Sequence, residues 1–463
     1  MTQSLTLTEK QHALLKRHLF PGDGRESAAL LVCRFLGSNK DRMIVNKIIL
    51  VPDEACSRRT PTFIQWPGRW IENAIDQAEP NSDAVLLTHS HPGGTLSFSI
   101  VDDESDHTTM YALHSAIESN SFHHGSAIMT QDGRMKARIY NSSLLIEKID
   151  RVMRVGIDIT DISRLCDAPV IPFGAEMRAI FKRCTACVIG VSGTGSLIVE
   201  MLARKGVGHI ILVDFDLIEA KNLNRIVNST LDDAERRRSK IEMMADAISR
   251  FSPTTKVTCI NSSVTNRNAI ITASSAEILF SSVDSMEGRS IAESISQACV
   301  IPLIDLGVTI PTRKDGDGNI QIADICGRID YVRPDGPSLF DRGVITSQGL
   351  RVEYLLSHAP DAADQEIRAG YIKGVHEEAP SVMALNMRAA SDAVSEWLAR
   401  QFGYRHDGNE PYARTMFSLA GGEVDYEPEG SFPLTESQIL AQGLIEPLLG
   451  LPGLGNTEKR AAP

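Results

Sequence analysis

No stretch of the 463 residues approaches the ~20 consecutive apolar residues that a membrane-spanning helix needs. The first residues, Met1-Thr-Gln-Ser-Leu-Thr-Leu-Thr-Glu9, lack a cationic segment followed by an apolar core. No secretion signal is therefore visible, and a cytoplasmic location is expected. A basic excess is missing too. The net charge is −12, which argues against nucleic acid as a partner, because phosphate binding demands a basic face. Eight scattered cysteines in a chain this long suggest reduced thiols rather than a disulfide frame. Convincing internal repeats are also absent. What remains is an ordinary globular composition, 42% hydrophobic and 23% charged, in a length that suggests about three domains.

The most informative stretch runs from 187 to 225. Cys187-Val-Ile-Gly-Val-Ser-Gly-Thr-Gly-Ser196 is an apolar strand entering a glycine-rich turn and a helix. His209-Ile-Ile-Leu-Val-Asp-Phe-Asp216 is a second apolar strand ending in acids, and Asn222-Leu-Asn-Arg225 follows. Gly190, Gly193 and Gly195 let backbone N–H groups approach a phosphate at the start of the helix. Asp214 ends the next strand, where a carboxylate accepts from ribose hydroxyls. A nicotinamide- or flavin-binding unit shares that turn. It does not account for an Asn and an Arg just past the second strand.

These residues resemble the ThiF-type adenylating family, which includes the ubiquitin-activating enzymes. The likeness rests on Gly190 to Ser196, Leu212 to Asp216, Asn222 to Arg225, Lys240 before a helix, and Val283-Asp284-Ser285. The resemblance implies that Asp214, with Asp216 beside it, holds the ATP ribose. It implies further that Asn222, Arg225 and Lys240 contact the phosphates and that Asp284 positions Mg²⁺. A peptide carboxylate would then attack the α-phosphate, with fixed cations and metal stabilising the charge. A solvated lysine after Arg236-Arg-Arg238 is the plainer reading of Lys240.

A second signature lies upstream, in Val85-Leu-Leu-Thr-His-Ser-His-Pro-Gly-Gly-Thr-Leu-Ser-Phe-Ser-Ile-Val-Asp102. His89 and His91 alternate at the end of an apolar strand, so both imidazoles face one side. Asp102 can add an oxygen ligand. Two His and one carboxylate leave a fourth zinc position open, which marks a hydrolytic rather than a structural site. Glu26, just before Ala28-Ala-Leu-Leu-Val-Cys33, is the candidate base. This set resembles the JAMM metalloprotease motif: a distant Glu, then His-x-His-Pro, seven residues, and Ser-x-x-Asp, here Ser99-Ile-Val-Asp102. The resemblance implies that Ser99 donates to the oxyanion and that the bonds cut are peptide or isopeptide bonds at a ubiquitin-like C-terminus. His107, His123 and His124 read as surface residues.

The expected fold class is α/β. A JAMM-type α/β/α domain over 1–150 would be joined by a linker at 151–175 to a Rossmann-like, mostly parallel adenylation domain over 176–403. A tail at 404–463 would be partly ordered, with Ile439 to Leu451 apolar enough to dock. The chain should open with a helix over Leu5 to His18, and Val382 to Gln401 should be a long amphipathic helix.

The chain also departs from the ThiF pattern. It has one Cys-x-x-Cys pair, Cys184-Thr-Ala-Cys187, which reads as core rather than as a zinc site. Where relatives would carry Cys-Leu-x-Cys, it has Ser338-Leu-Phe-Asp341. The adenylate could pass directly to an acceptor, Ser338 could take the acyl group as an oxyester, or Cys326 or Cys299 could act from elsewhere. Arg164 is the candidate for an arginine lent to a partner subunit's site, and a homodimer is implied by the resemblance. The implied function is bifunctional: ATP-dependent adenylation of a ubiquitin-like C-terminus, and zinc-dependent processing or deconjugation. A conjugating-enzyme-like acceptor would follow. Sulfur-carrier activation and a non-catalytic scaffold that grips such a tail are the alternatives.

Overall fold

The computed structural model of the chain describes residues 3–37, 41–81, 83–116, 123–164, 174–316, 318–360 and 382–454. It divides into two compact units. One is Met1–Pro169 with Gln297–Val300 and Gln438–Pro463, and the other is Val170–Ser296 with Ile301–Ser437.

The first unit opens on a strand, β1 (Ser4–Thr8), followed by α1 (Glu9–Leu19). The expected helix from Leu5 is corrected at its start. Leu5 and Leu7 alternate with Ser and Thr, and this period of two is satisfied by parallel pairing with β3 (Arg42–Leu50) and β10 (Arg151–Val155). The helix starts where Thr8 and Gln11 form a reciprocal capping box. β2 (Ala28–Leu36) lies between β3 and β6 (Ala84–His91). The hairpin β4 (Arg58–Thr60) and β5 (Phe63–Gln65) and helix α2 (Arg69–Ala78) come between β3 and β6 in the chain. After β6 follow α3 (Ile100–Ala116), β7 (His124–Thr130), β8 (Met135–Tyr140) and β9 (Ile146–Lys148). With β11 (Ile159–Asp161), the sheet has the order β11-β10-β1-β3-β2-β6-β7-β8-β9.

Alternation along β2 builds a core on each face of this sheet. Ala29, Leu31 and Cys33 pack with Leu15 and Leu19 of α1, while Ala28, Leu30 and Val32 pack with Ala78 of α2 and Met110 and Leu113 of α3. A sheet between helices results, as expected. Two readings of its periphery are corrected. Part of the expected linker, 151–161, forms β10 and β11. His124 is fully buried rather than at the surface, because its Nδ1 accepts the Val85 N–H (3.1 Å). The apolar part of the tail also belongs to this unit: Leu448 and Leu449 are buried, and Asn46 Nδ2 donates to Ala441 O (2.8 Å).

In the second unit, α4 (Ala175–Phe181) precedes β12 (Thr185–Ile189), α5 (Gly193–Arg204) and β13 (His209–Val213). Next come α6 (Leu231–Glu235), α7 (Lys240–Phe251), β14 (Lys256–Ile260), α8 (Arg267–Ala273), β15 (Ile278–Ser281), α9 (Met286–Cys299) and β16 (Leu303–Thr309). These five strands are parallel, in the order β14-β13-β12-β15-β16. The chain leaves β12 toward β13 on one side and later returns to β15 on the other. The crevice at that switch, above the strands' carboxyl ends, is where such sheets bind ligands.

A hairpin, β17 (Thr312–Lys314) and β18 (Ile320–Ile322), precedes β19 (Cys326–Val332), which pairs antiparallel to β16. Helices α10 (Ser347–His358) and α11 (Met383–Phe402) follow. In α11, Trp397 is buried against Phe181 and Phe280, and the helix stops at Gly403, whose φ of +56° favours glycine. The tail expected to be only partly ordered over 404–463 contributes β20 (Arg414–Ser418) and β21 (Glu423–Glu427), which extend the sheet beyond β19. Their anchors are Arg414, which donates to buried Asp330 (2.9 Å), and buried Phe417. No helix among the described residues is long and apolar enough to cross a membrane.

Candidate metal centre and nucleotide site

Strand pairing assembles the first site. Ala28 lies opposite His89 in the antiparallel β2–β6 ladder. The ladder is prolonged by Ser90 N–H donating to Ser27 O (3.0 Å) and by Ser27 N–H donating to Ser90 Oγ (2.9 Å). Two residues back, Glu26 is thereby level with His91, and Glu26, His89 and His91 share one face. Their ligand atoms all lie within 4.8 Å of one another. From α3, Asp102 brings Oδ1 to 3.2 Å from His89 Nε2 and Oδ2 to 3.6 Å from His91 Nε2.

The two Nε2 atoms are 3.0 Å apart, and His91 Nδ1 is held at 2.8 Å by the Thr95 carbonyl. That carbonyl fixes the proton on Nδ1 and leaves the Nε2 lone pair facing inward. Two imidazole nitrogens and a carboxylate converging this closely suit a divalent cation, and the donor set is one zinc accepts. Burial raises the pKa of Glu26. Asp102 is held well below the usual carboxylate range, because its bonds to the two imidazoles outweigh burial. Ser99 starts α3: its Oγ accepts Asp102 N–H (3.2 Å), and its N–H donates to Asp102 Oδ2 (2.6 Å). The hydroxyl proton is left over for another acceptor.

The sequence reading missed what holds α3 in place. Asp106 Oδ2 accepts from Arg138 Nη2 (2.7 Å), Arg138 Nε (3.0 Å), Tyr140 (3.1 Å) and Ser126. Arg138 also lies 3.8 Å over the Phe98 ring, next to Ser99. These contacts join residues far apart in sequence, so no local pattern announces them.

At the second site, Gly190 follows β12; its φ of +85° favours glycine, and an added Cβ would lie tight against Ser282 O (3.0 Å). Gly195 passes so close to the Gly190 carbonyl that a Cβ would overlap it. The turn leads into α5, whose cap residue Ser192 makes no side-chain bond to the first-turn N–H groups. An anion is what such an end accepts. Arg225 Cδ lies 3.2 Å from where a Cβ on Gly193 would be. Asp214 Oδ2 accepts the Val191 N–H (2.6 Å) and Oδ1 the Asp216 N–H (2.8 Å), so one carboxylate joins both strand ends. Burial raises its pKa against the pull of Lys240.

Lys240 is buried, and its Nζ donates to Asp216 Oδ2 (2.7 Å), which sets aside the solvated reading. Asn222 is buried, its Oδ1 accepting Glu219 N–H (3.0 Å) within the turn before Arg225. Asp284 is exposed just beyond β15. Two contributors went unnoticed in the sequence. Ser282 Oγ donates to Gly190 O (2.7 Å), and Asn386 of α11 presses its amide against Gly193 from nearly two hundred residues away.

Ser338 stands between β19 and α10. Its Oγ donates to Asp341 Oδ2 (2.8 Å) and accepts Asp341 N–H (3.0 Å), a reciprocal cap that occupies the hydroxyl. The next residue is tied to α9, where Leu339 N–H donates to Glu293 Oε1 (2.6 Å). Cys326 and Cys299 have thiol pKa values pushed by burial to about 11 and about 12, with the Asp324 bond adding to the former. Cys184 and Cys187 are buried as expected for core. Arg164 is half-buried beyond β11, and 165–173 lie outside the described residues.

The family described as prokaryotic homologs of the JAB domain matches residues 8–140, and the ThiF family matches residues 167–324. The chain joins a JAB-type domain to a ThiF-type domain. Ubiquitin-like modifier-activating enzyme 5 of Aedes aegypti is 25% identical over 260 residues, covering 53% of this chain and 62% of that protein. The tRNA threonylcarbamoyladenosine dehydratase of Escherichia coli K12 is 29% identical over 136 residues, covering 29% of this chain and 50% of that one. The chain thus spans half to three fifths of the length of these two relatives. Among solved structures, E. coli MccB aligns at 16% identity and a TM-score of 0.43, covering 57% of this chain and 68% of that chain.

Proposed function

We propose that this chain is a bifunctional enzyme of a bacterial-type ubiquitin-like modification pathway. The ThiF-type unit adenylates the flexible C-terminus of a ubiquitin-like protein with ATP and Mg²⁺. The JAB-type unit, with zinc, trims such a protein or removes it from its targets. The setting is cytoplasmic, and the enzyme works as a homodimer in which Arg164 is the candidate to reach the partner subunit's site. The observation that carries this reading is the pair of cations, Arg225 and Lys240, set against Gly193 and Asp216 around an uncapped helix end.

In the adenylation step Asp214 accepts from the ribose, with Asp216 beside it, while the N-terminus of α5, Asn222, Arg225 and Lys240 take the phosphates. Asp284 holds Mg²⁺. A peptide carboxylate oxygen forms a bond to the α-phosphorus as the bond to pyrophosphate breaks, and the fixed cations stabilise the added charge. Because Ser338 is engaged with Asp341 and both Cys326 and Cys299 are poor thiolates, the acyl adenylate passes directly to a second protein, a conjugating-enzyme-like acceptor.

In the hydrolytic site His89, His91 and Asp102 would hold zinc, which supplies Lewis-acid polarisation of the scissile carbonyl and of water. Glu26 takes the proton of the attacking water and delivers it to the leaving amine. The Ser99 hydroxyl donates to the carbonyl oxygen as charge develops there. Similarity to a ubiquitin-like modifier-activating enzyme supports the substrate class.

The test is intact-mass spectrometry of the Glu26→Gln chain incubated with ATP, Mg²⁺ and a candidate ubiquitin-like protein, together with pyrophosphate–ATP exchange. Exchange without an adduct is expected. A hydroxylamine-sensitive adduct on Ser338 or Cys326 would overturn direct transfer, and absence of exchange with the true partner would overturn adenylation.

A further inference from the structure

The bonds between β2 and β6 stop one residue short of Glu26. The last of them join Ser27 and Ser90. Beyond them, the Glu26 carboxyl group makes no hydrogen bond among the described residues; only charge couples it to His89, His91 and Asp102. A carboxyl group without a bond of its own stands where its backbone puts it. Displacing such a group by 1 Å can cost ~10²-fold in rate.

That backbone is held by β4, the first strand of the small hairpin. Glu26 N–H donates to Thr60 O (2.9 Å), and Arg59 Nε donates to Glu26 O (2.8 Å). Consecutive residues of one strand thus take both polar backbone groups of Glu26. Arg59 Nη2 also donates to Ser27 Oγ (2.7 Å), so one guanidinium spans two successive residues at the entry to β2. The guanidinium is itself fixed. Nη1 donates to Asp23 Oδ2 (3.0 Å), Nη2 lies 3.1 Å from Asp53 Oδ2, and the side chain is only 10% exposed. Flanked by two carboxylates, it offers little to an anionic ligand. Lysine is no equivalent, because an ammonium is a point charge and the planar fork bonds several acceptors at set angles.

We infer that Arg59 is a positioning residue of the hydrolytic site, setting Glu26 against the two imidazoles through the Glu26 carbonyl and the Ser27 hydroxyl. This inference rests on the hydrolytic reading. Arg59→Lys keeps a positive charge between Asp23 and Asp53 but loses the fork. The first readout needs neither metal nor substrate. In the metal-free full chain, hydrogen–deuterium exchange read by mass spectrometry should quicken at least tenfold over residues 24–28 and stay native along β6. Asp23→Ala removes one bond that fixes the guanidinium, at a side chain 38% exposed. It should quicken the same segment, and it decides the matter if the lysine variant does not fold.

The second readout uses the zinc-loaded chain and a fluorogenic amide on the C-terminus of a candidate ubiquitin-like protein. In Arg59→Lys, kcat should fall at least ~10-fold, part of the ~10²–10⁴-fold that a positioned base supplies. KM and zinc content should stay native. In a Glu26→Gln background the same substitution should change nothing further, because the group it positions is already gone. Native exchange over 24–28 in both variants, an equal loss of kcat in both backgrounds, or loss of zinc would overturn the assignment. If the native zinc-loaded chain cleaves no such amide while exchange quickens as expected, the hydrolytic reading fails and the hold of Arg59 on Glu26 stands.

Discussion

Ala28 stands opposite His89 in the antiparallel β2–β6 pairing, and that one register brings Glu26 level with His91. The hydrolytic site therefore depends on a backbone ladder. Its most separable element is the carboxyl of Glu26, which is buried and raised in pKa by that burial.

Glu26→Gln keeps size and position but cannot carry the proton. Peptide hydrolysis should fall by about 10²–10⁴-fold. Metal content by mass spectrometry and pyrophosphate–ATP exchange should both stay at the native level. Loss of exchange as well would contradict two independent sites.

Asp284→Ala should do the converse. The residue is exposed beyond β15, so melting temperature should hold, while exchange falls by at least ~10²-fold and hydrolysis of a peptide substrate persists.

Lys240→Met removes a buried ammonium whose partner Asp216 is about half exposed. Water can solvate the released carboxylate, so the stability cost should stay within about 1 kcal/mol. Exchange should drop by about 10²–10³-fold if Lys240 stabilises the transferring phosphoryl charge. Denaturant titration alongside the exchange assay separates the two effects.

Glu293 of α9 gives a pH signature. It is buried and accepts Leu339 N–H (2.6 Å), and burial pushes its pKa up to about 7 from the ordinary 4.5. The folded state then holds a proton that the unfolded state has lost, so stability falls as pH rises through this window. The stabilisation is complete below about 4.5 and gone above about 7. Melting temperature should drop across that range in the native chain relative to Glu293→Gln, whose amide oxygen can still accept from Leu339. Parallel curves for the two proteins would refute the assignment.

Ser338→Ala should cost about 1 kcal/mol through loss of its cap to Asp341. Pyrophosphate–ATP exchange should be unaffected. A large loss of acyl transfer with normal exchange would reinstate Ser338 as the acyl acceptor.

Much of both candidate sites is written in short sequence runs, because a strand of period two or a strand–turn–helix places neighbouring residues without help. His89 and His91, Ser99 and Asp102, and the run from Gly190 to Gly195 are of this kind. Continuous apolar runs announce β12, β13, β15 and β16 of the second sheet, whereas the short alternation at Ser4–Thr8 abuts the amphipathic run of α1 and reads as part of it. Tertiary structure alone decided the contacts between distant segments. It set Glu26 beside His91 through the β2–β6 register, Asp106 under Arg138, Asn386 against Gly193, and Arg59 on the Glu26 carbonyl. It also drew 414–427 into the sheet and engaged Ser338 with Asp341. The physical reason is common to all of these. Hydrogen bonds and burial between segments tens to hundreds of residues apart are worth as much as local ones, but leave no periodicity in the chain to announce them.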